Sequence, residues 1–350
     1  MAPSVIPAKA GIQKSVARRW IPAFAGMTLS ILTAACGPSQ PPDADGRSDA
    51  ALPQPAGPPL SVPPAELADA IRCDPWPAEG ERAVLLVHGT SVTPEENWEW
   101  NWQRALPHFG FRPCTVKLPD YAFVDIQVSS EYVVHAIRAL SDATAAKISV
   151  VGLSQGGLQP RWAIRWWPDI RDRIDDLVMI VTTNHGAAFA DASCAAPPCL
   201  PALWQQRYQG SMLLTALNAG DETPGDVSYT SIYSLTDAVI QPSDAARLDG
   251  AVNVAVQDLC PGRPVDHAQS SYDAAVWALG LDALMHDGPL DLGRVDPAAC
   301  LEFALPYADP AEAAQRGADI YLVAGERQST YQGKVSEEPA LRPYARGQAQ

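Results

Sequence analysis

A serine between glycines is the residue of this chain best suited to covalent chemistry. Ser154 lies in the segment Gly152-Leu153-Ser154-Gln155-Gly156-Gly157, after an apolar run that predicts a buried strand and before a helical pattern. A strand that enters a helix through such a sequence makes a sharp turn that exposes the serine hydroxyl, and the glycines avoid collisions with neighbouring backbone. The segment therefore predicts a nucleophilic serine, with an ordinary glycine-rich turn as the alternative.

A histidine and an aspartate that follow this serine are candidates for the base and the acid. A serine hydroxyl becomes a good nucleophile when an imidazole takes its proton and a carboxylate orients that imidazole. His267 lies in a loop after the strand predicted at 252–256, and Asp237 follows the strand predicted at 229–233. We expect His267 as the base and Asp237 as the acid. Asp266 is the competing acid, and a solvated loop aspartate is the alternative for either.

Two backbone positions are candidates for an oxyanion hole. Gln155 opens the helix after the nucleophile, and the loop His88-Gly89-Thr90 follows the strand predicted at 83–87. Donors at these places would stabilise the oxyanion of a tetrahedral intermediate, each by roughly 3 to 4 kcal/mol. We expect Gln155 and Thr90 to form the hole. The alternative for Thr90 is a hydroxyl that hydrogen-bonds to the backbone of its own turn. The alternative for His88 is a structural residue that braces the loop.

Strands that alternate with helices must position these residues. Apolar runs and helical spacing predict strands at 83–87, 148–151, 177–181, 229–233 and 252–256, and helices at 130–140, 158–167 and 272–285. This order is typical of an α/β fold with a largely parallel central sheet flanked by helices. The sequence has no Walker loop and no Gly-x-Gly-x-x-Gly motif, so we expect no cofactor, and its scattered histidines predict no metal site.

Composition favours a folded protein of an oxidising compartment. The chain has 350 residues, of which 47% are hydrophobic and 19% charged, enough to form a globular core. A formal charge of -15 repels phosphate backbones, so nucleic acid is not an expected partner. Seven cysteines and 33 prolines indicate an oxidising environment and long irregular connections.

Residues 1–35 are expected to form an export signal. Basic residues precede an uncharged stretch, 20–35, that ends in small side chains before Cys36, as in signals removed from exported proteins. This stretch of about 16 residues is shorter than a bilayer span requires. Segments within residues 4–28 look like translated repeat DNA, which leaves the start codon open.

Cys36 and the residues after it predict a site of lipidation and a tether that precedes the catalytic domain. Cys36 resembles the cysteine of a bacterial lipoprotein signal, so it is a candidate for lipidation and membrane anchoring, with simple signal cleavage nearby as the alternative. Residues 36–66 are rich in Pro, Ala, Asp and Ser, a composition typical of a tether. We expect a catalytic domain over residues 67–350, in a protein that is secreted or anchored in a bacterial envelope.

Several separated stretches between about Cys73 and Arg346 resemble the lipase B family of α/β-hydrolases. They are Phe111-Arg112-Pro113-Cys114, residues 127–134, Ser154-Gln155-Gly156-Gly157, residues 203–206, Thr236-Asp237 with Gln241-Pro242, Asp266-His267-Ala268, and residues 343–346. The resemblance implies an α/β-hydrolase fold and a triacylglycerol lipase or carboxylesterase that forms an acyl-enzyme. It also implies Ser154, Asp237 and His267 as triad, Thr90 and Gln155 as oxyanion hole, and the disulfides Cys73–Cys114 and Cys260–Cys300. Cys194 and Cys199 have no evident family partner and are expected to pair with each other.

Departures from the family pattern concern the substrate pocket. Leu153 stands where the family has Trp, and Thr183 stands where it has Asp, so both residues, with Val239, are candidates for the pocket wall. Residues 310–324 resemble the family's long helix at the pocket mouth and are expected to be shortened. We expect a monomer that acts on ester or lipid substrates, with an esterase for short or polymeric esters as the rival to a true lipase. A catalytically inactive tethered binding protein on the same fold is the alternative, and it would be expected to lack a triad member.

Overall fold

One sheet of seven strands forms the centre of the computed structural model, which describes residues 55–348. The strands are β1 (Ile71–Cys73), β2 (Arg82–Val87), β3 (Phe111–Val116), β4 (Ile148–Leu153), β5 (Ile174–Ile180), β6 (Ser228–Tyr233) and β7 (Val252–Ala255). Their order across the sheet is β1-β3-β2-β4-β5-β6-β7. β1 runs antiparallel to β3, and every other neighbouring pair is parallel. The carboxyl ends of β2, β4, β6 and β7 therefore lie at the same edge, where open α/β sheets place their ligand sites.

Ten α-helices accompany these strands in the described part of the chain. They are α1 (Pro64–Asp69), α2 (Trp102–Ala105), α3 (Ile126–Thr144), α4 (Leu158–Trp166), α5 (Ala188–Ser193), α6 (Pro201–Trp204), α7 (Met212–Leu217), α8 (Val256–Leu259), α9 (Ala274–Met285) and α10 (Pro310–Thr330). None of the helices within residues 55–348 has both the length and the apolar character that a membrane span requires.

The two faces of the sheet carry separate apolar layers. Successive side chains of a strand point to opposite faces, and β2 follows this rule closely. Leu85 and Val87 pack in one layer with residues of α3 and α4, whereas Val84 and Leu86 pack in the other with residues of α9. Because both faces are covered, residues 83–87 of β2 and 177–180 of β5 are apolar at every position, which is why they appear in the sequence as continuous runs.

The helices and strands agree with the predicted ones in kind and differ by a few residues at their ends. The helix predicted at 272–285 begins at Ala274, because the Asp273 side chain accepts hydrogen bonds from N–H groups of its first turn. The segment 310–324, which resembles the family's helix at the pocket mouth, belongs to α10, and this helix continues to Thr330. The mouth of the site is therefore bordered by a helix of 21 residues.

The described part of the predicted tether, residues 55–66, is packed on the domain. The Trp167 indole N–H donates to the Pro58 carbonyl at 2.8 Å, and the Ser61 hydroxyl donates to Glu131 at 2.7 Å. Leu60 and other small apolar side chains of the segment pack against the core. The domain thus begins before residue 67, because carbonyl acceptors and small apolar side chains suffice to dock a segment that cannot build a core of its own. The predicted signal, Cys36 and the tether up to residue 54 lie outside the described residues.

Three disulfides are present within residues 55–348, and they join the cysteines that the sequence paired. Cys73–Cys114 links facing residues of β1 and β3, Cys260–Cys300 ties the end of α8 to the segment before α10, and Cys194–Cys199 closes a short loop after α5. Such a set is typical of proteins from an oxidising compartment.

Candidate active site

The serine lies on a tight turn between β4 and α4. The backbone φ of Ser154 is 56°. Residues other than glycine rarely adopt this left-handed conformation, and those that do are often found at functional sites. A Cβ at Gly152 would overlap with the Gly156 carbonyl, and a Cβ at Gly156 would overlap with the Val87 carbonyl at the end of β2. Glycines are therefore required because the turn packs directly on neighbouring backbone.

The three residues predicted as a triad form one chain of hydrogen bonds. His267 Nε2 lies 3.0 Å from Ser154 Oγ, and His267 Nδ1 lies 2.7 Å from Asp237 Oδ2. Ser154 follows β4, Asp237 follows β6, and His267 lies in the loop after α8. Along the chain, His267 is 113 residues from Ser154 and 30 residues from Asp237. The arrangement has the geometry of a nucleophile, a base that can accept its proton, and a carboxylate that orients the base.

The carboxylate of Asp237 is buried and fully engaged. Only 1% of the residue is exposed, and burial by itself would raise the pKa of this carboxyl. His267 and hydrogen bonds from the N–H groups of Ile240 and Val239 outweigh burial, so the pKa lies below its ordinary value. Asp237 is thus held in the anionic form that an imidazolium requires as its partner.

The competing acid, Asp266, makes other contacts. Its Oδ1 accepts hydrogen bonds from the Gln269 N–H at 2.9 Å and from the Tyr321 hydroxyl at 3.0 Å. The His267 ring bonds to Asp237 instead. Asp266 therefore caps the short helical turn after the histidine and does not orient the imidazole.

The loop after β2 approaches the nucleophile closely. A Cβ built on Gly89 would lie 3.2 Å from the Ser154 Cβ, and the Gly89 N–H donates to Asn97 Oδ1 at 3.0 Å. The buried His88 ring accepts from the Leu118 N–H at 3.0 Å, and burial lowers its pKa to about 4. His88 thus braces this loop as a neutral residue, as the structural alternative for it predicted.

Both predicted oxyanion-hole residues are adjacent to the serine. The Thr90 hydroxyl donates to Gln155 Oε1 at 2.5 Å, and the Gln155 amide donates to the Ala122 carbonyl at 3.0 Å. Within residues 55–348, the backbone N–H of Thr90 makes no hydrogen bond. The side-chain bond between Thr90 and Gln155 holds the two segments together and leaves this N–H free to bind an oxyanion.

A mainly apolar cavity of about 320 Å³ opens over Ser154 and His267. The turns and helices around α5, α6 and α10 supply its apolar walls, which include Ala187, Phe189, Leu203, Ile320 and Ala324. Thr183 and Val239, both predicted as pocket residues, line it. Thr183 is one of its polar lining residues and donates to Gln206 Oε1 at 3.1 Å.

Leu153, the third predicted pocket residue, does not line this cavity. Only 6% of it is exposed, and it belongs to the apolar layer that includes Val181, Tyr233 and Val254. As the last residue of β4, Leu153 precedes the turn, so its short side chain packs into the sheet layer and Ser154 faces the cavity.

Several residues that support the site were not found by sequence reasoning. Gln206, in a stretch that resembles the family, donates to Gln155 Oε1 at 2.9 Å. Arg327, on α10, donates to the Ser91 carbonyl at 2.9 Å and pairs with both oxygens of Glu96. No signal in the sequence could have identified that pair, because its members lie 231 residues apart. Among residues 55–348, no group of three His, Cys, Asp or Glu side chains is arranged to hold a metal ion.

Comparison with known proteins assigns the chain to a family. Residues 127–259 match the family described as Lipase (class 2). Lipase B of Pseudozyma antarctica is 32% identical over 311 residues, which are 84% of this chain and 88% of that protein. This chain belongs to the lipase B family. The crystal structure of Aspergillus fumigatus lipase B matches it with a TM-score of 0.76 and 29% identity, over 83% of this chain and 74% of that one.

Membership of the lipase B family confirms two expectations from the sequence. The fold is that of an α/β-hydrolase, with a mostly parallel seven-stranded sheet flanked by helices. The protein is a carboxylic ester hydrolase of lipase or esterase type. The inactive binding protein, which was the alternative expectation, is thereby disfavoured.

Proposed function

We propose that this lipase B family member cleaves carboxylic esters by a serine mechanism through an acyl-enzyme on Ser154. The observation that carries the proposal is the continuous hydrogen-bonded chain from Ser154 through His267 to Asp237, with its first two members on the cavity surface. The proposed acyl-enzyme step also rests on the adjacent donors of Thr90 and Gln155.

The proposed reaction proceeds in two halves. Ser154 Oγ attacks the ester carbonyl carbon while His267 Nε2 takes its proton, and the N–H groups of Thr90 and Gln155 stabilise the oxyanion. The bond to the leaving alcohol then breaks, and His267 returns the proton to that alcohol. Water attacks the acyl-enzyme with His267 as base, the carboxylic acid leaves, and the serine hydroxyl regains its proton. Asp237 remains anionic throughout and stabilises the transient imidazolium.

The cavity supports esters with an apolar acyl group of short or medium length as substrates. Its volume lies near the lower limit of ligand sites, and its surface is mainly apolar. A panel of nitrophenyl esters and triglyceride emulsions tests this: kcat/KM should peak at a short or medium acyl chain. A steady rise with chain length on emulsions would instead indicate a long-chain lipase.

Replacement of the nucleophile tests the mechanism. Ser154→Ala should lower kcat by several orders of magnitude while substrate binding persists, because triad removal abolishes the chemical step. Ser329→Ala, at an exposed serine of α10, is the matched control and should retain wild-type activity. Unchanged turnover in Ser154→Ala would contradict the proposed mechanism.

The cellular location of the protein is a further part of the proposal. The three disulfides support an exported protein. We propose that Cys36 anchors it to a bacterial membrane as a lipidated residue, that it is a monomer, and that it binds no nucleic acid. Fractionation of cells that express the full chain, compared with Cys36→Ser, tests the anchor: the wild type should sediment with membranes and the variant should be soluble. Gel filtration tests the monomer.

A further inference from the structure

A tyrosine of α10 contacts both neighbours of the proposed base. The Tyr321 hydroxyl donates to Asp266 Oδ1 at 3.0 Å and accepts from the Ala268 N–H at 3.2 Å. These two residues directly precede and follow His267 in the chain. One hydroxyl group thus contacts the side chain before His267 and the backbone after it, from a helix that begins more than forty residues later.

Apart from bonds within the helical turn that follows it, this loop has further anchors in the segment after β6. The Thr236 hydroxyl accepts from the Val265 N–H at 2.9 Å, and the Ser234 hydroxyl donates to the Val265 carbonyl at 2.6 Å. Both residues belong to the segment after β6 that also carries Asp237. At residue 265 the loop is therefore bonded to the segment that carries Asp237. At residues 266 and 268, Tyr321 connects it to the wall of the cavity.

We propose that Tyr321 is a positioning residue, which fixes the His267 loop through its hydroxyl so that Nε2 stays within hydrogen-bond distance of Ser154 Oγ. The proposal rests on the serine mechanism proposed above. The ring of Tyr321 lines the cavity, but its hydroxyl is engaged by the loop. Burial, followed by the nearby carboxylate of Asp266, raises the pKa of Tyr321, which keeps the hydroxyl protonated as a donor.

The expected effect on rate follows from how steeply proton transfer depends on geometry. A displacement of about 1 Å in a catalytic group can lower turnover by about 100-fold. The anchor at Val265 remains when the hydroxyl is removed, so the loop should move only in part. We therefore expect Tyr321→Phe to lower kcat by about five- to twenty-fold and to leave KM within about twofold.

The test compares Tyr321→Phe with Tyr307→Phe on nitrophenyl acetate and nitrophenyl octanoate. Tyr307 is the matched control, since it is an exposed tyrosine whose ring stacks on His108, and its hydroxyl makes no hydrogen bond within residues 55–348. Tyr321→Phe should lose kcat by the same factor on both esters, whereas Tyr307→Phe should match the wild type. Asp266→Ala should lower kcat at least as much, because it also removes the acceptor of the Gln269 N–H, and the Tyr321→Phe/Asp266→Ala double variant should lose less than the product of the two single losses.

Two outcomes would overturn the inference. A kcat of Tyr321→Phe within twofold of wild type would show that the hydroxyl does not position the base. A loss confined to the octanoate ester, or to KM, would make Tyr321 part of the acyl-chain wall only. Either result leaves the serine mechanism intact if Ser154→Ala is inactive in the same assay, so the failure of this inference is distinguishable from that of the proposed function.

Discussion

A buried carboxyl on β5 should make the stability of this enzyme depend on pH. Asp176 is 4% exposed, and its Oδ2 accepts a hydrogen bond from the Ser149 hydroxyl at 2.9 Å. Burial raises its pKa from 3.8 to about 7; the Ser149 bond and Arg82 oppose the rise, and Asp175 and Asp287 add to it. The folded protein therefore binds this proton more tightly than the unfolded chain does.

The sign and size of the effect follow from this difference. Because the folded pKa is raised, the stabilisation is fully present below pH 3.8 and is lost as the pH rises to about 7. A rise of this size corresponds to about 4 kcal/mol of unfolding free energy lost above neutral pH. Asp176→Asn keeps an acceptor for Ser149 and removes the charge. The variant should be more stable than wild type by about 2 to 4 kcal/mol at about pH 8, and nearly equal to it at about pH 4.

Urea unfolding with the disulfides intact measures this difference at both pH values. Asp172→Asn, at an exposed aspartate before β5, is the matched control and should change stability by less than about 0.5 kcal/mol. A stability gain of Asp176→Asn that is equal at both pH values would refute the linkage. A wild type that is more stable than the variant at the higher pH would show that the carboxylate is favourably bound when charged.

Three further predictions concern the oxyanion loop, the sheet layer and the disulfides. Arg327→Met should lower kcat by about tenfold on esters of any length, measured by steady-state kinetics, because it releases the Ser91 carbonyl beside the oxyanion hole; wild-type kcat would contradict this role. Leu153→Trp should lower the unfolding free energy by about 1 to 3 kcal/mol through overpacking and leave the preference between secondary-ester enantiomers unchanged; a changed enantiomer ratio would place the residue at the substrate. Removal of the Cys260–Cys300 disulfide by serine substitution should cost about 4 kcal/mol in unfolding experiments, and an equally stable variant would show that the closed loop contributes nothing.

The three residues of the proposed triad could be predicted because each has a local signal or a fixed place in the chain order. Ser154 lies in a turn that requires glycine neighbours. Asp237 and His267 lie in loops that follow strands, and a parallel sheet places the ends of its strands at one edge. The roles of Tyr321 and Arg327 could not be predicted in this way. Their contacts cross 55 and 231 residues, and neither residue type nor spacing marks them.

Element ends and packing were harder to predict than chemistry. The continuation of α10 beyond Ala324 crosses Gly325 and a run of polar residues that weakens the helical pattern of apolar side chains. The docking of residues 55–66 depends on backbone carbonyls, which composition does not reveal. Leu153 was assigned to the pocket from the residue that the family has at that place, and the direction of its side chain could be known only from the structure.

The most direct test of the account is detection of the acyl group on the proposed nucleophile. Wild-type enzyme mixed rapidly with a nitrophenyl ester should release a burst of nitrophenol, and quenched samples should carry one added acyl mass that peptide mapping locates on Ser154. Ser154→Ala should show neither the burst nor the added mass. An acyl group mapped to another residue, or rapid turnover in Ser154→Ala, would contradict the serine mechanism.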